Sequence, residues 1–598
     1  MLDIRPRGLS HPRQPRKPIQ PPRKIRVADK NNQSPTIHHE MKNGLRIIPL
    51  GGQEEVGRNM TLFEYGQDIV ILDMGLQFPE EDMPGIDYII PNISYLKGKE
   101  KRIRGVILSH GHLDHIGAAP ILLRNLGYPT IIGRDMTLAM VKKKLEDFEK
   151  GSAQNLKTIR VKAITDKIRL GSFEIEFFDV EHSIMDAVGV IIKTPDGTVI
   201  HPGDWTMEKS TEGKSLVTYQ HLSRLPSPRI LMLESLGAIV TNPSRTTEEE
   251  MYFNLEKLIS EASGKIIIGT FSSQIKRIGH ILEYAEKIGK KVALDGYSMK
   301  MNVEIAKELG YIKMHKETLV PIANIHNYPE NKIIVICTGA QGEGNAVLSR
   351  IITDNHRFIK IKKNDTVIFS SSVIPGNERT VQRLKDNLYR KCDNVIHDDI
   401  MDVHISGHCS AVDIQEMLRQ VRPDFFVPVY ANHYMLKEAE KLAIKIGFRK
   451  ENIFVLDNGN VLEVQRNNTA KILPKKVDTS YVMVDGLGVG DVGQVVLRDR
   501  QVLSEDGMFV ITVILDSKTK NVVGNIQITS RGFIYVKDNF DLVNETKNQV
   551  KKAIKDTTSK KTSPEKKFIE NAIREVVGLY LFQKTERRPM VLPVIIEV

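Results

Sequence analysis

The segment GVILSHGHLDHIGAAP, residues 105–120, constrains this chain more than any other. An apolar run ends at Ser109, and His110, His112, Asp114 and His115 follow within six residues. The run reads as a buried strand, the polar cluster as the loop after it, and a helix is expected to begin near Ile116. Histidine and aspartate left unpaired at such a place lose their hydration, so a merely hydrophilic turn is a poor account of four together. Two imidazoles one residue apart can face one metal ion. The aspartate and histidine just beyond can face a second. At the carboxyl end of a strand they would sit in the usual crevice of an open α/β sheet.

The cysteines leave any metal to imidazole and carboxylate. Cys337, Cys392 and Cys409 form no CxxC pair, and an odd, scattered set argues against a disulfide framework or a thiolate zinc site. A chain of 598 residues is too long for one core, so three or more units are expected. Apolar residues are 41% and charged residues 27%, an ordinary soluble balance. No apolar run approaches the ~20 residues that span a bilayer. The N-terminus is basic but has no apolar stretch behind its charges, unlike a signal peptide. The expectation is a cytoplasmic protein without membrane contact.

The net charge of +11 is uneven. Residues 1–30 carry nine Lys and Arg against Asp3 and Asp29, a balance of +7 that leaves only +4 for the rest. Such an arm fits a polyanion, and charge alone does not separate RNA from DNA or an anionic surface. Residues 1–40 hold six prolines within RPRGLSHPRQPRKPIQPPRKIR and are expected to be a disordered or partly polyproline tail. From Leu45 to about residue 470, short apolar runs such as IVILD (69–73), KIIIG (265–269), KVALD (291–295), KIIVIC (332–337) and TVIFS (366–370) alternate with helical spacing, as in 248–262 and 275–289. This is α/β patterning. Beyond QRNNTAKILPKKVD (465–478), strand-like FVITVILD (509–516) and FIYV (533–536) precede two helices. Ser563 is placed to cap the last helix, with Pro564 at its first position.

HxHxDH after a strand resembles the second motif of the metallo-β-lactamase superfamily. That motif should be followed by an isolated histidine and then an isolated aspartate at strand ends. FEIEFFDV (173–180) runs into His182, and a Pro195-Asp196-Gly197 turn leads through TVIHPGDW to Asp204. The resemblance implies His110, His112 and His182 on a first metal, Asp114 and His115 on a second, and Asp204 bridging. His201 reads as structural or supporting. About 200 residues separate Asp204 from HISGHCS (404–410), and the insertion resembles a β-CASP domain. GTFSSQIKRIGHIL (269–282), ICTGAQGEGNAVLSRI (336–351), FSSSVIPGNE (369–378), HISGH (404–408) and the C-terminal VDGLGVGDVG, LRDRQVLSEDG, SRGFIYV and KTERRPMVLPVI each look like ribonuclease J. The resemblance covers roughly 44–598.

What it implies is a metallo-β-lactamase αββα sandwich, 41–235 and 402–470, with an inserted β-CASP domain, 236–401, and a C-terminal α+β domain, 475–598. The activity implied is metal-dependent hydrolysis of RNA, 5′→3′ from 5′-monophosphate ends with room for endonucleolytic cleavage, in RNA maturation and decay. His408 would be the general acid, oriented by Glu234. His404, Ile405, Ser406, Gly407 and His408 would lie against the scissile phosphate, and Ser273, Gln274, Ser371 and Ser372 would form a 5′-phosphate pocket. Two Zn²⁺ per chain are implied, with Mn²⁺ the alternative. Implied partners are RNA, a second or fourth copy of the chain through the C-terminal domain, and degradation or ribosome-associated proteins. One departure stands out. The family's PVHG histidine, the last ligand of the second metal, is replaced in PVYANHY by Tyr430, with His433 three residues on. Phenolate can bind a metal, and His433 is the alternative ligand. A DNA-directed β-CASP nuclease and a metal-impaired RNA-binding scaffold remain the competing readings.

Overall fold

The apolar run before the ligand cluster forms the strand Ile103–Ile107, buried at its last three residues. The computed structural model describes residues 44–598 apart from 81, 209–214, 242–245, 316, 343–345, 375–376, 399 and 561–563. The tail expected over 1–40 and the cap expected at Ser563 lie outside the described residues.

Ile103–Ile107 belongs to an eight-stranded sheet, flanked by Asp68–Leu72 and Ile131–Gly133, both parallel to it. A six-stranded sheet faces it, in which Gly197–His201, Arg229–Glu234 and Phe425–Val429 run parallel. Successive side chains of a strand point to opposite faces. Ile47, Phe63, Val70 and Ile107 therefore meet Ile175, Val190, Val199, Ile230 and Val427 in one buried layer. The outer face of the first sheet is covered by Ala119–Asn125 and Asp135–Phe148. Ala411–Val421 and His433–Lys445 cover that of the second. The result is the helix–sheet–sheet–helix sandwich that the resemblance implies.

Between Glu234 and Ala411 lies a second α/β body. Its five strands are all parallel, in the order Lys291–Asp295, Ile333–Cys337, Ile266–Thr270, Thr366–Ser370, Asn394–Ile396. Strands this apolar need cover on both faces, which the intervening helices supply. One of these, Glu248–Glu261, starts at a capping box formed by Thr247 and Glu250. At the C-terminus, Gln527–Arg531, Met508–Leu515 and Met590–Glu597 form a three-stranded sheet packed on helices Phe540–Lys560 and Lys566–Thr585. Val482–Asp485 instead pairs with Tyr88–Ile90 of the N-terminal part. Among the described residues no helix is long and apolar enough to cross a membrane.

Three local expectations need correction. The helix after the ligand loop begins at Leu113, because the His112 carbonyl already accepts from the His115 and Ile116 amides. Asp114 and His115 thus project from a helical turn rather than from the loop. FIYV is not a strand. Gly532, at φ +70°, ends the strand Gln527–Arg531, and Phe533 turns in against Phe509. The last helix begins at Lys566 with Glu565, in an extended conformation, at its N-cap, which leaves Pro564 outside. Its buried ridge is Ile569, Ile573, Val577 and Leu581, while Phe568 is half exposed.

Candidate metal centre

Strand ends and one helical turn bring six of the predicted side chains to one point. His110 and His112 follow Ile103–Ile107, Asp114 and His115 sit on Leu113–Ile116, His182 follows Phe173–Asp179, and Asp204 follows Gly197–His201. They form two ligand groups that share Asp204. In the first, His112 Nδ1 lies 3.1 Å from His110 Nε2 and 3.0 Å from His182 Nε2. Asp204 Oδ2 lies 3.7 Å from His110 Nε2 and 3.8 Å from His182 Nε2. Four ligands at ~2.0–2.1 Å from a tetrahedral zinc ion stand about 3.3 Å from one another, so these residues fit such an ion. In the second group, His115 Nε2 lies 3.4 Å from Asp114 Oδ2 and 3.2 Å from Asp204 Oδ1. One oxygen of Asp204 therefore faces each group.

Each imidazole is turned by its other nitrogen. His182 Nδ1–H donates to the Gly407 carbonyl at 2.7 Å, and His115 Nδ1–H to Asp73 Oδ2 at 2.8 Å. Ser109 gives its hydroxyl proton to Asp73, at 2.8 Å, so its oxygen is left to accept from His110 Nδ1–H at 3.0 Å. His112 Nε2 meets the Ser273 hydroxyl at 2.9 Å. His110, His112 and His182, so arranged, each offer a bare nitrogen to the centre, the usual support of metal-binding histidines. Burial holds His110, His112 and His182 well below the ordinary histidine range, His112 to about 4 and His182 to about 3, so all three are neutral. His115 is different. Burial opposes its proton, but Asp204, Asp114 and Asp73 overcome it and push the ring well up. Three carboxylates around one imidazole, two of them buried and Asp114 partly exposed, leave negative charge that a cation would balance.

Asp73 and Asn59 were not singled out from the sequence. Asp73 is fully buried at φ +62°, a conformation that non-glycine residues hold mainly where the surroundings enforce it. It also accepts from the Ser109 amide at 2.8 Å. The signal was there, in the acidic residue that ends IVILD. Asn59 donates to Asp114 Oδ2 at 3.2 Å and lies 2.9 Å from His115 Nε2, between two ligands of the second group.

Tyr430 and His433 go different ways. Tyr430 is buried, its ring 5.3 Å from that of His115 and 5.0 Å from that of His201, and its hydroxyl has no hydrogen-bond partner among the described residues. Burial pushes the phenol well up, which disfavours the phenolate that would bind a metal. His433 is 55% exposed and faces Glu54 at 3.5 Å, away from the second group. His201 accepts from the Gly203 amide at 2.9 Å and joins neither group. Among the described residues the second group thus offers three His and Asp side chains as candidate ligands. Tyr430→His should add the missing imidazole and raise the metal content of the isolated protein from clearly below two ions per chain, while His433→Ala should change nothing. Two tightly held ions in the unmodified protein, unaffected by Tyr430→His, would contradict this.

His408 stands beside the centre, its Nδ1 3.6 Å from Glu234 and 4.0 Å from Asp204. Packing in the cleft opposes its proton, but the Glu234 carboxylate, helped by Asp204 and Asp114, raises the ring to about 9. Gly407 must be glycine, since a Cβ there would stand 2.6 Å from Ser183 Cβ and 3.1 Å from His182 Nδ1. The Ser406 hydroxyl accepts from the His408 amide, and Ile405 packs partly against the core. His404 accepts at Nδ1 from Arg277, at 2.8 Å. Of the residues expected in a phosphate pocket, Ser273 is engaged with His112, the Ser372 carbonyl accepts from Gln341, Gln274 is buried at the N-cap of helix Ile275–Lys287, and Ser371 is buried just after strand Thr366–Ser370.

Comparison with known proteins identifies the domains. Residues 54–243 match the metallo-beta-lactamase superfamily, 263–388 the ribonuclease J beta-CASP domain, and 495–598 the ribonuclease J C-terminal domain. Ribonuclease J 1 of Streptococcus pyogenes is 35% identical over 93% of this chain and 98% of its own length. Ribonuclease J2 of Bacillus subtilis is 32% identical over 93% of this chain and 99% of its own, and Ribonuclease J 2 of Staphylococcus aureus 32% over 93% and 98%. The chain belongs to the ribonuclease J family, metal-dependent ribonucleases of the metallo-β-lactamase and β-CASP type.

Proposed function

We propose that this chain degrades RNA 5′→3′ from 5′-monophosphate ends, with endonucleolytic cleavage as a second mode, in RNA maturation and decay. The observation that carries the hydrolytic reading is Asp204, with one oxygen toward each ligand group. A divalent ion held there, Zn²⁺ or Mn²⁺, supplies an activated water near neutral pH and positive charge against the phosphate. The chain does the rest. His408, kept protonated by Glu234, gives a proton to the leaving 3′ oxygen. His404, Ser406 and Gly407 hold the scissile phosphate in line. Ser273, Gln274, Ser371 and Ser372, with the backbone N–H groups that follow their strands, receive the terminal phosphate.

One RNA labelled identically but ending in 5′-monophosphate, 5′-triphosphate or 5′-hydroxyl tests this reading. The monophosphate form should be degraded fastest, and a matched single-stranded DNA far more slowly. Equal rates for the three ends would remove the 5′ pocket, and equal rates on DNA would favour a DNA-directed nuclease. Tyr430 favours a second reading, an RNA-binding scaffold with an impaired second metal, which predicts binding without turnover.

The same proposal places the chain in the cytoplasm. It also assigns a homodimer or homotetramer to the C-terminal sheet, whose Leu592, Val594 and Ile596 are exposed. The basic arm would add affinity without sequence choice. Each cation touching a phosphate of a single strand contributes about −0.7 to the slope of log affinity against log salt. Deleting residues 1–40 should weaken RNA binding and flatten that slope, with turnover at saturating RNA unchanged. An unaltered slope would show that the arm is not on the RNA.

A further inference from the structure

We propose that Arg277 is a positioning residue that fixes the proton of His404 on Nε2, so that His404 meets the scissile phosphate as a neutral N–H donor. The proposal rests on the reading of His404 as a phosphate contact. Arg277 belongs to helix Ile275–Lys287 and is 4% exposed. Its Nη1 donates to His404 Nδ1 at 2.8 Å, to the Ser370 carbonyl at 2.9 Å and to the Ser370 hydroxyl at 3.1 Å. A guanidinium can only donate. His404 Nδ1 must therefore offer its lone pair, and the proton of the neutral ring sits on Nε2.

The contact also ties together separate parts of the chain. Ser370 Oγ donates to the carbonyl of Val403, next to His404, at 2.6 Å, and Thr270 Oγ1 donates to the Ser370 carbonyl at 2.9 Å. Arg277 thus anchors the 404–408 segment to the ends of two neighbouring strands of the inserted sheet. Burial lowers the guanidinium to about 10, still charged at neutral pH. The charged groups bearing on His404 are Arg277 and His408. Burial first, then Arg277, hold its ring well below the ordinary range, and the Ser370 carbonyl that could favour a proton is already engaged by Arg277. A lone pair facing a phosphate oxygen would repel it, whereas an Nε2–H attracts it at every working pH.

The test compares kcat/KM of Arg277→Met with that of the unmodified enzyme on 5′-monophosphate RNA across pH. Without the guanidinium, His404 can hold its proton on either nitrogen, and its ring takes a second proton more readily, since one of the forces opposing it is gone. The ratio of variant to unmodified enzyme should fall roughly tenfold at about pH 8, the equivalent of one buried hydrogen bond to a charged group. It should rise again as pH falls, as more of the variant's rings become imidazolium and donate from both nitrogens. A purely structural role would give a ratio that does not change with pH. Arg277→Met should add little to His404→Ala.

A pH-independent ratio, or losses that multiply in the double variant, would overturn the proposal while leaving His404 its phosphate. Unimpaired His404→Ala would remove both. Should Arg277→Met not fold, the His404 variants decide. His404→Gln places an amide N–H near Nε2 and His404→Asn near Nδ1, so Gln should retain severalfold more activity than Asn. Equal losses would overturn the proposal.

Discussion

Replacing Asp114 and His115 together with alanine should cut RNA hydrolysis by roughly three orders of magnitude or more, since a bound metal contributes several kcal/mol of charge stabilisation and about 1.4 kcal/mol is a factor of ten. Both side chains point at the centre from one short helical turn, and together they supply two of the three candidate ligands of the second group. The apolar layer between the two sheets does not include them. Folding, followed by thermal melting, and RNA binding, followed by titration, should therefore largely survive. A folded double variant that still cleaves RNA at a near-normal rate would remove the metal groups from the mechanism.

The second large effect belongs to His408. Its loss as general acid should cost about 10²–10⁴-fold in turnover. The pH dependence identifies it. An acid works only while protonated, and its raised value of about 9 keeps His408 protonated through neutral pH. Activity should then fall as pH rises through about 9. Glu234→Gln removes the main force holding that proton, while packing continues to oppose it. The basic limb of the kcat–pH profile should move to lower pH. A limb that stays in place would show that another group is the acid.

The site was largely readable because its ligands are consecutive or end apolar runs. His110, His112, Asp114 and His115 are legible as a cluster. His182 and Asp204 became legible only through their order along the chain, since an isolated histidine or aspartate carries no local signal. Asp73 ends an apolar run and could have been read the same way. Arg277 could not. It lies on an amphipathic helix where arginine normally faces water, and only the tertiary meeting with Ser370 and His404 gives its burial a purpose. Tyr430 and His433 were ambiguous for a related reason. At φ +61° Tyr430 turns inward against His115, whereas His433 begins a helix with its side chain half exposed, and neither orientation is a property of residue type. The α/β alternation followed from apolar patterning, and the αββα order from the family motifs. The early start of helix Leu113–Ile116 and the end of the strand at Gly532 depend on single backbone positions that patterning does not resolve.

The central claim is that His110, His112, His182 and Asp204, with Asp114 and His115, hold the metal that makes this chain a ribonuclease. The most direct measurement is cleavage of one 5′-monophosphate RNA by protein stripped with a chelator and then titrated with Zn²⁺ or Mn²⁺. Metal content should be followed in parallel. The account predicts no cleavage by the stripped protein and recovery that follows occupancy of the weaker second group, once the first is filled. Undiminished cleavage by protein shown to be free of metal would contradict it.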